Sequence, residues 1–323
     1  MRATAPYAKL TAMPYALMLP LLPLAMLVPL AFIPALPAYR IPEQFPFWIF
    51  FFGLPHIVSS FQTMCDAEYL AAYRRETAVI LALLVLPLAL VTAGVPAALL
   101  LTVVLILTQH HVVAQQYGMA LAVARMRPGA ALFVCKWSTM TLGILATLLT
   151  YSASDIAGTA QSAILQALAD TLAAPLLAVV AASGALLVWR ARHHLAGAAI
   201  FAMNVLLFAA ALILILRTQY ALLGLMLVRI LHDLSGFVVY ISHDSARNRT
   251  QRKNMLYRLV PLLPVWLLNL AFALVLAAGM TWLANRLAWV AWLVTGLTIA
   301  HYYMESRIWR GPTPHRQHLR FAA

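Results

Sequence analysis

Ten apolar stretches of bilayer-crossing length follow one another along the chain, at about residues 14 to 37, 45 to 64, 77 to 93, 96 to 124, 131 to 151, 171 to 190, 195 to 216, 218 to 243, 259 to 280 and 285 to 307. A span needs about 20 apolar residues to cross a hydrocarbon core about 30 Å thick, so ten of them consume roughly two thirds of the chain and leave no room for a soluble catalytic domain. Composition agrees: of 323 residues, 64% are hydrophobic and 10% charged, whereas a soluble domain has about 25% charged residues. The expected fold is all-α, a polytopic integral membrane helical bundle with about ten transmembrane helices. It forms a single domain over residues 1–323 with a short basic tail at 308–323. The first apolar segment is Pro-rich and lacks a convincing small-residue cleavage site, which makes it a retained span.

An even number of spans puts both termini on one side. That side collects 18 of the 22 Lys and Arg residues, from Arg2 and Lys9 to Arg316 and Arg320, against Arg40, Arg217 and Arg286 on the other, with Arg229 inside the eighth span. The bias makes the basic side, and both termini, cytoplasmic, in a multi-pass protein of the inner (cytoplasmic) membrane. Topology therefore accounts for nearly all of the +13 net charge. The tail from Arg307 to Arg320 suits contact with anionic lipids. No aromatic-interleaved module accompanies these charges, so nucleic acid is not an expected partner. Cys65 and Cys135 fall near cytoplasmic span ends and supply neither a disulfide framework nor a Cys-rich metal site. The longest external segment, about 152–170, suggests a short interfacial helix from near Thr159.

Ionisable groups inside spans are costly and are functional candidates by default. Counted from the outer ends of their spans, His56 lies 11 residues in, His110 and its neighbour His111 about 14, His232 14 and His301 16. All four spans run in the same direction, and at 1.5 Å rise per residue these depths differ by only about 7 Å. One layer thus receives histidine from four helices, together with Asp233 and, a turn further in, Gln115 and Glu305. Neutral imidazoles with one or two carboxylates form an oxygen-containing, thiolate-free set that suits iron, copper, manganese or zinc. The expected metal ligands are His56, His110 or His111, His232 or His243, and His301, with Glu305 and Asp233 as catalytic carboxylates, either fifth ligands or supports. Gln109, Gln115, Gln116, Tyr240, Ser59 and Tyr302 are available to fix imidazole tautomers. His193, His194, His315 and His318 lie among basic loop or tail residues and are expected to be solvated. Arg229, one turn before Asp233, reads as its charge partner. Asp66 and Glu68 read as interfacial.

Local motifs carry a resemblance. Gly53-Leu54-Pro55-His56, His110-His111 with Tyr117-Gly118-Met119, the stretch from Tyr240 to Arg247, and His301 with Glu305 and Ile308-Trp309-Arg310 resemble, in order, four motifs of the bacterial Brp/Blh-type beta-carotene dioxygenases. Those are small integral membrane enzymes that cut carotenoid to retinal. The motifs cover about thirty positions of the chain. The chain has Ser60 where that family has an Asp, and Arg247 where it has the second His of a late pair, leaving His232 or Asp233 to replace a lost ligand. The resemblance implies non-haem iron, mononuclear or dinuclear, with O2 as co-substrate and an apolar lipid or polyene substrate reached from the bilayer. Copper and zinc rank behind iron. A proton-coupled transporter and a b-type haem electron-transfer protein are the competing functional classes.

Overall fold

The computed structural model describes residues 53–151, 159–218 and 220–319, with Leu21, Leu22 and Ala25. The expected first span and the opening residues of the second lie outside the described residues. The helices are α1 (Leu54–Gln62), α2 (Ala67–Ala72), α3 (Arg74–Thr92), α4 (Ala97–Ala124), α5 (Ala130–Tyr151), α6 (Thr159–Ala191), α7 (Leu195–Arg217), α8 (Ala221–Arg247), α9 (Met255–Arg258), α10 (Val265–Ala284) and α11 (Ala288–Ile308). Among the described residues there is no strand, only an isolated bridge between Asp66 and Asn254. In a bilayer core the backbone must satisfy its own hydrogen bonds, and helices do so within one segment.

Among the described residues, seven helices are long and apolar enough to cross a membrane: α3, α4, α5, α6 from Ala163, α7, α8 and α10. Burial separates them, with 6% of the apolar window of α3 buried against 83% of that of α8. Exposed Leu81, Val85, Leu206 and Val275 give the outer helices a surface suited to lipid. α11 matches the expected tenth span in position but gathers His301, Glu305 and Arg307 in its last turns and is not among the seven. The expected interfacial helix does begin at Thr159, but it is no separate element. α6 continues from there for 33 residues, through Pro175, to Ala191.

The chain divides into two compact units. In the first, which includes residues 46–104 and 233–323, α11 packs along α3, and α10 packs on α1 and α11. Gly296 permits the closest approach there, since a Cβ at that position would stand 1.9 Å from the carbonyl oxygen of Leu84. Leu54, Val58, Phe237, Ala273 and Ala277 form one core cluster of this unit. The second unit includes residues 105–232, where α6 packs between α5 and α7, around Leu142, Ala146, Ala173 and Leu212. His232 and Asp233 are consecutive residues of α8, one at the end of each unit's share of that helix.

Candidate metal centre

Helix α1 exists to hold His56. Its N-cap, Gly53, takes φ 52°, and Pro55 sits in the first turn, where a missing N–H costs nothing. The backbone N–H of Gly53 donates to Asp233 Oδ2 at 2.8 Å, which places a carboxylate at the positive end of the helix. Gly236, one turn after His232 on α8, leaves space for the His56 ring. A Cβ at Gly236 would meet Cε1 at 2.1 Å and Nδ1 at 2.5 Å. The His56 ring lies 4.9 Å from that of His301 and 5.4 Å from that of Tyr240, centroid to centroid. Both histidines are buried, at 1% and 0% exposure.

His301 is oriented by Ser60, whose Oγ lies 2.7 Å from Nδ1. That hydroxyl also donates to the carbonyl of Ile57 at 2.6 Å. Because a serine hydroxyl has one proton to give, the Ile57 bond makes Ser60 the acceptor from His301 Nδ1–H. This assigns the tautomer and makes Nε2 the nitrogen that could ligate a metal. One turn on, Glu305 accepts a hydrogen bond at Oε1 from the Tyr240 hydroxyl.

In the second unit His111 of α4 and His232 of α8 form a similar edge-on pair, 4.9 Å between centroids at 83°. Gln116, on α4, ties the two helices by donating to the carbonyl of Leu231 at 3.3 Å, and Asn204 of α7 donates to the carbonyl of Gln116 at 3.0 Å. His56, His111, His232 and His301 each offer one ring nitrogen, and these four atoms all lie within 4.8 Å of one another. A buried group of this kind can hold a metal ion.

The other expected site residues fall elsewhere. His110 is exposed, 6.2 Å from the Trp137 ring. His243 is buried but has its own partners, Tyr69 Oη at 3.1 Å from Nε2 and Asp244 Oδ1 at 2.8 Å from Nδ1. Asp233 is buried and caps α1, and Glu305 is buried beside Tyr240. Asp66 caps α2 and pairs with Arg247 at 2.9 Å, while exposed Glu68 bridges Arg247 and Lys253. Hydrogen bonds from these two cations hold the Glu68 carboxyl down at about 2.

The expectation of a solvated His315 is overturned. Its ring is wholly buried, stacked between Tyr69 at 4.0 Å and His243 at 4.8 Å, with Nδ1 3.2 Å from the Tyr73 hydroxyl. Burial is the main reason that its imidazole is pushed down to about 2, with His243, His318 and Arg247 adding to it. The sequence reading assigned neither the seating of His56 to Gly236 nor the orienting of His301 to the Ser60 hydroxyl. Gly236 could have been found, because it is the smallest residue on the face of α8 that carries His232 and Tyr240. Compared with protein-family models, curated proteins and solved structures, the chain matches none of them.

Proposed function

We propose that the chain is a membrane-embedded, histidine-ligated non-haem iron oxygenase that acts on an apolar, lipid-like substrate. The observation that carries this reading is the gathering of His56, His111, His232 and His301 within 4.8 Å. Metal–imidazole bonds of about 2.1 Å put the ligand nitrogens of one ion about 3 to 4 Å apart, so small side-chain adjustments close the group on a single centre. The same crowding favours an ion over haem, because a macrocycle between two axial imidazoles leaves no place for two more at this distance. A thiolate-free imidazole set suits iron, copper or zinc, and the resemblance of the motifs around His56 and His301 to those of the carotenoid-cleaving enzymes favours iron. When bound, such a metal supplies O2 activation. The protein's residues supply position: Ser60 sets the tautomer of His301, Asp233 anchors the helix of His56, and Gly236 gives that ring its place.

The four histidines are at most 8% exposed, which favours a substrate that comes from the bilayer rather than from water. A polyene, an acyl chain or a quinone meets that condition, and carotenoid cleavage is the form of the reaction that the motif resemblance favours. The basic ends of the helices face the cytoplasm in this reading, beside anionic lipids of the inner membrane. Expression in carotene-producing bacteria tests the substrate: pigment bleaching with an aldehyde product supports cleavage. Purification under anaerobic, iron-supplied conditions tests the centre. Close to one iron per chain is expected, and protein that stays metal-free overturns the reading.

A further inference from the structure

Tyr240 is wholly buried, and its surroundings go beyond packing. Its hydroxyl donates to Glu305 Oε1, and its ring lies 5.4 Å from that of His56 and 6.2 Å from that of Trp309. The Tyr240 and Trp309 rings stack at 26°. Both separations fall within the range of packed aromatic pairs, about 4.5 to 7 Å. Trp309 follows the last residue of α11 and is partly exposed. A readily oxidised phenol hydrogen-bonded to Glu305 is therefore in ring contact with both a candidate metal ligand and the partly exposed Trp309.

We infer that Tyr240 and Trp309 form a path that carries oxidising equivalents away from the metal centre, with Glu305 holding the phenolic proton. The inference rests on the iron reading above. With dioxygen or a peroxide as oxidant, no lipid substrate present and Glu305 ionised, Tyr240 would give one electron to the oxidised centre and its O–H proton to the Glu305 carboxylate. A neutral phenoxyl radical and a carboxylic acid result, and the centre is reduced by one electron. Trp309 then returns one electron to Tyr240 while the proton passes back from Glu305 to the phenol oxygen. The indole radical cation that remains, on a partly exposed residue, is then reduced by a soluble thiol. The path protects buried histidines from oxidation whenever oxidant is activated without substrate.

The test uses full-length protein loaded with ferrous iron in detergent, assayed for iron, mixed with hydrogen peroxide and freeze-quenched for electron paramagnetic resonance. Wild type shows a neutral tyrosyl signal that ring-deuterated tyrosine narrows. Tyr240→Phe keeps the ring packing and the iron but loses the signal, Trp309→Phe prolongs it several-fold, and Glu305→Gln lowers its yield. An unchanged signal in Tyr240→Phe, or iron that is oxidised in wild type with no tyrosyl radical, overturns the inference and leaves the iron site standing. A protein that binds no iron removes the site itself, and the path with it.

Discussion

Gly236 and His56 share one small volume: a methyl group added at position 236 would stand 2.1 Å from the imidazole Cε1. The ring cannot keep its place beside His301 if that space is filled, and overpacking in a tight core costs about 1–3 kcal/mol. Gly236→Ala is expected to keep its helical content in detergent while its iron content falls well below that of wild type. Elemental analysis beside circular dichroism measures both, and full iron loading in the variant would show that His56 is not a ligand.

Ser60 sets which nitrogen of His301 carries the proton. Loss of a group that orients a metal-bound imidazole lowers metal affinity by about 10–100-fold. Ser60→Ala is expected to weaken iron binding by that factor, and Ser60→Asp, which still accepts from Nδ1–H, to restore most of it. Competition with a calibrated chelator gives the two constants; equal affinity in all three proteins would contradict the tautomer assignment.

His110 and His111 are neighbours with opposite expected roles. His111→Ala removes a nitrogen from the buried group, whereas His110→Ala changes an exposed ring beside Trp137. Iron content is expected to collapse in the first variant and to stay at the wild-type level in the second. A reversed pattern would place the ligand on the other side of α4.

The segment from Gly311 to Leu319 is held down by a histidine that stays neutral. Docked, His315 is pushed down to about 2, while a free histidine titrates at about 6.5. Below that value the undocked segment binds more protons than the docked one, so docking is complete above pH about 6.5 and weakens by up to about 1.4 kcal/mol per unit as the pH falls toward the depressed value. The protection factors of residues 311–319, exchange rates corrected for the intrinsic pH dependence of amide exchange, are expected to fall on mild acidification. In His315→Phe, which keeps a stacking ring without a titratable nitrogen, this pH dependence is expected to be weaker. Protection in wild type that ignores pH would contradict the account.

Depth was legible in the sequence and rotation was not. Offsets along co-directional spans put His56, His111, His232 and His301 in one layer, because rise per residue is a fixed property of a helix. They could not choose between His110 and His111: Gln109, His110, His111, Gln115 and Gln116 are spread around α4, so no amphipathic pattern marks its inner face. The hydrogen bond from His301 to Ser60 joins residues 241 positions apart, beyond the reach of any local pattern. The reading of His315 failed for a related reason. Basic neighbours suggested water, while the pocket that buries it is built by Tyr69, Tyr73 and His243 from distant parts of the chain.

That long separation also orders events during biosynthesis. His56 enters the membrane early, with a ring that lacks its partner, and His301 arrives only after nine intervening helices have been translated. In the function proposed above, the full set of four histidines exists only once α11 is in place, so metal is acquired after that helix has been made. In that reading a chain cut short before α11 lacks His301 and is expected to hold less metal than the complete one, which makes metal content a readout of completed synthesis.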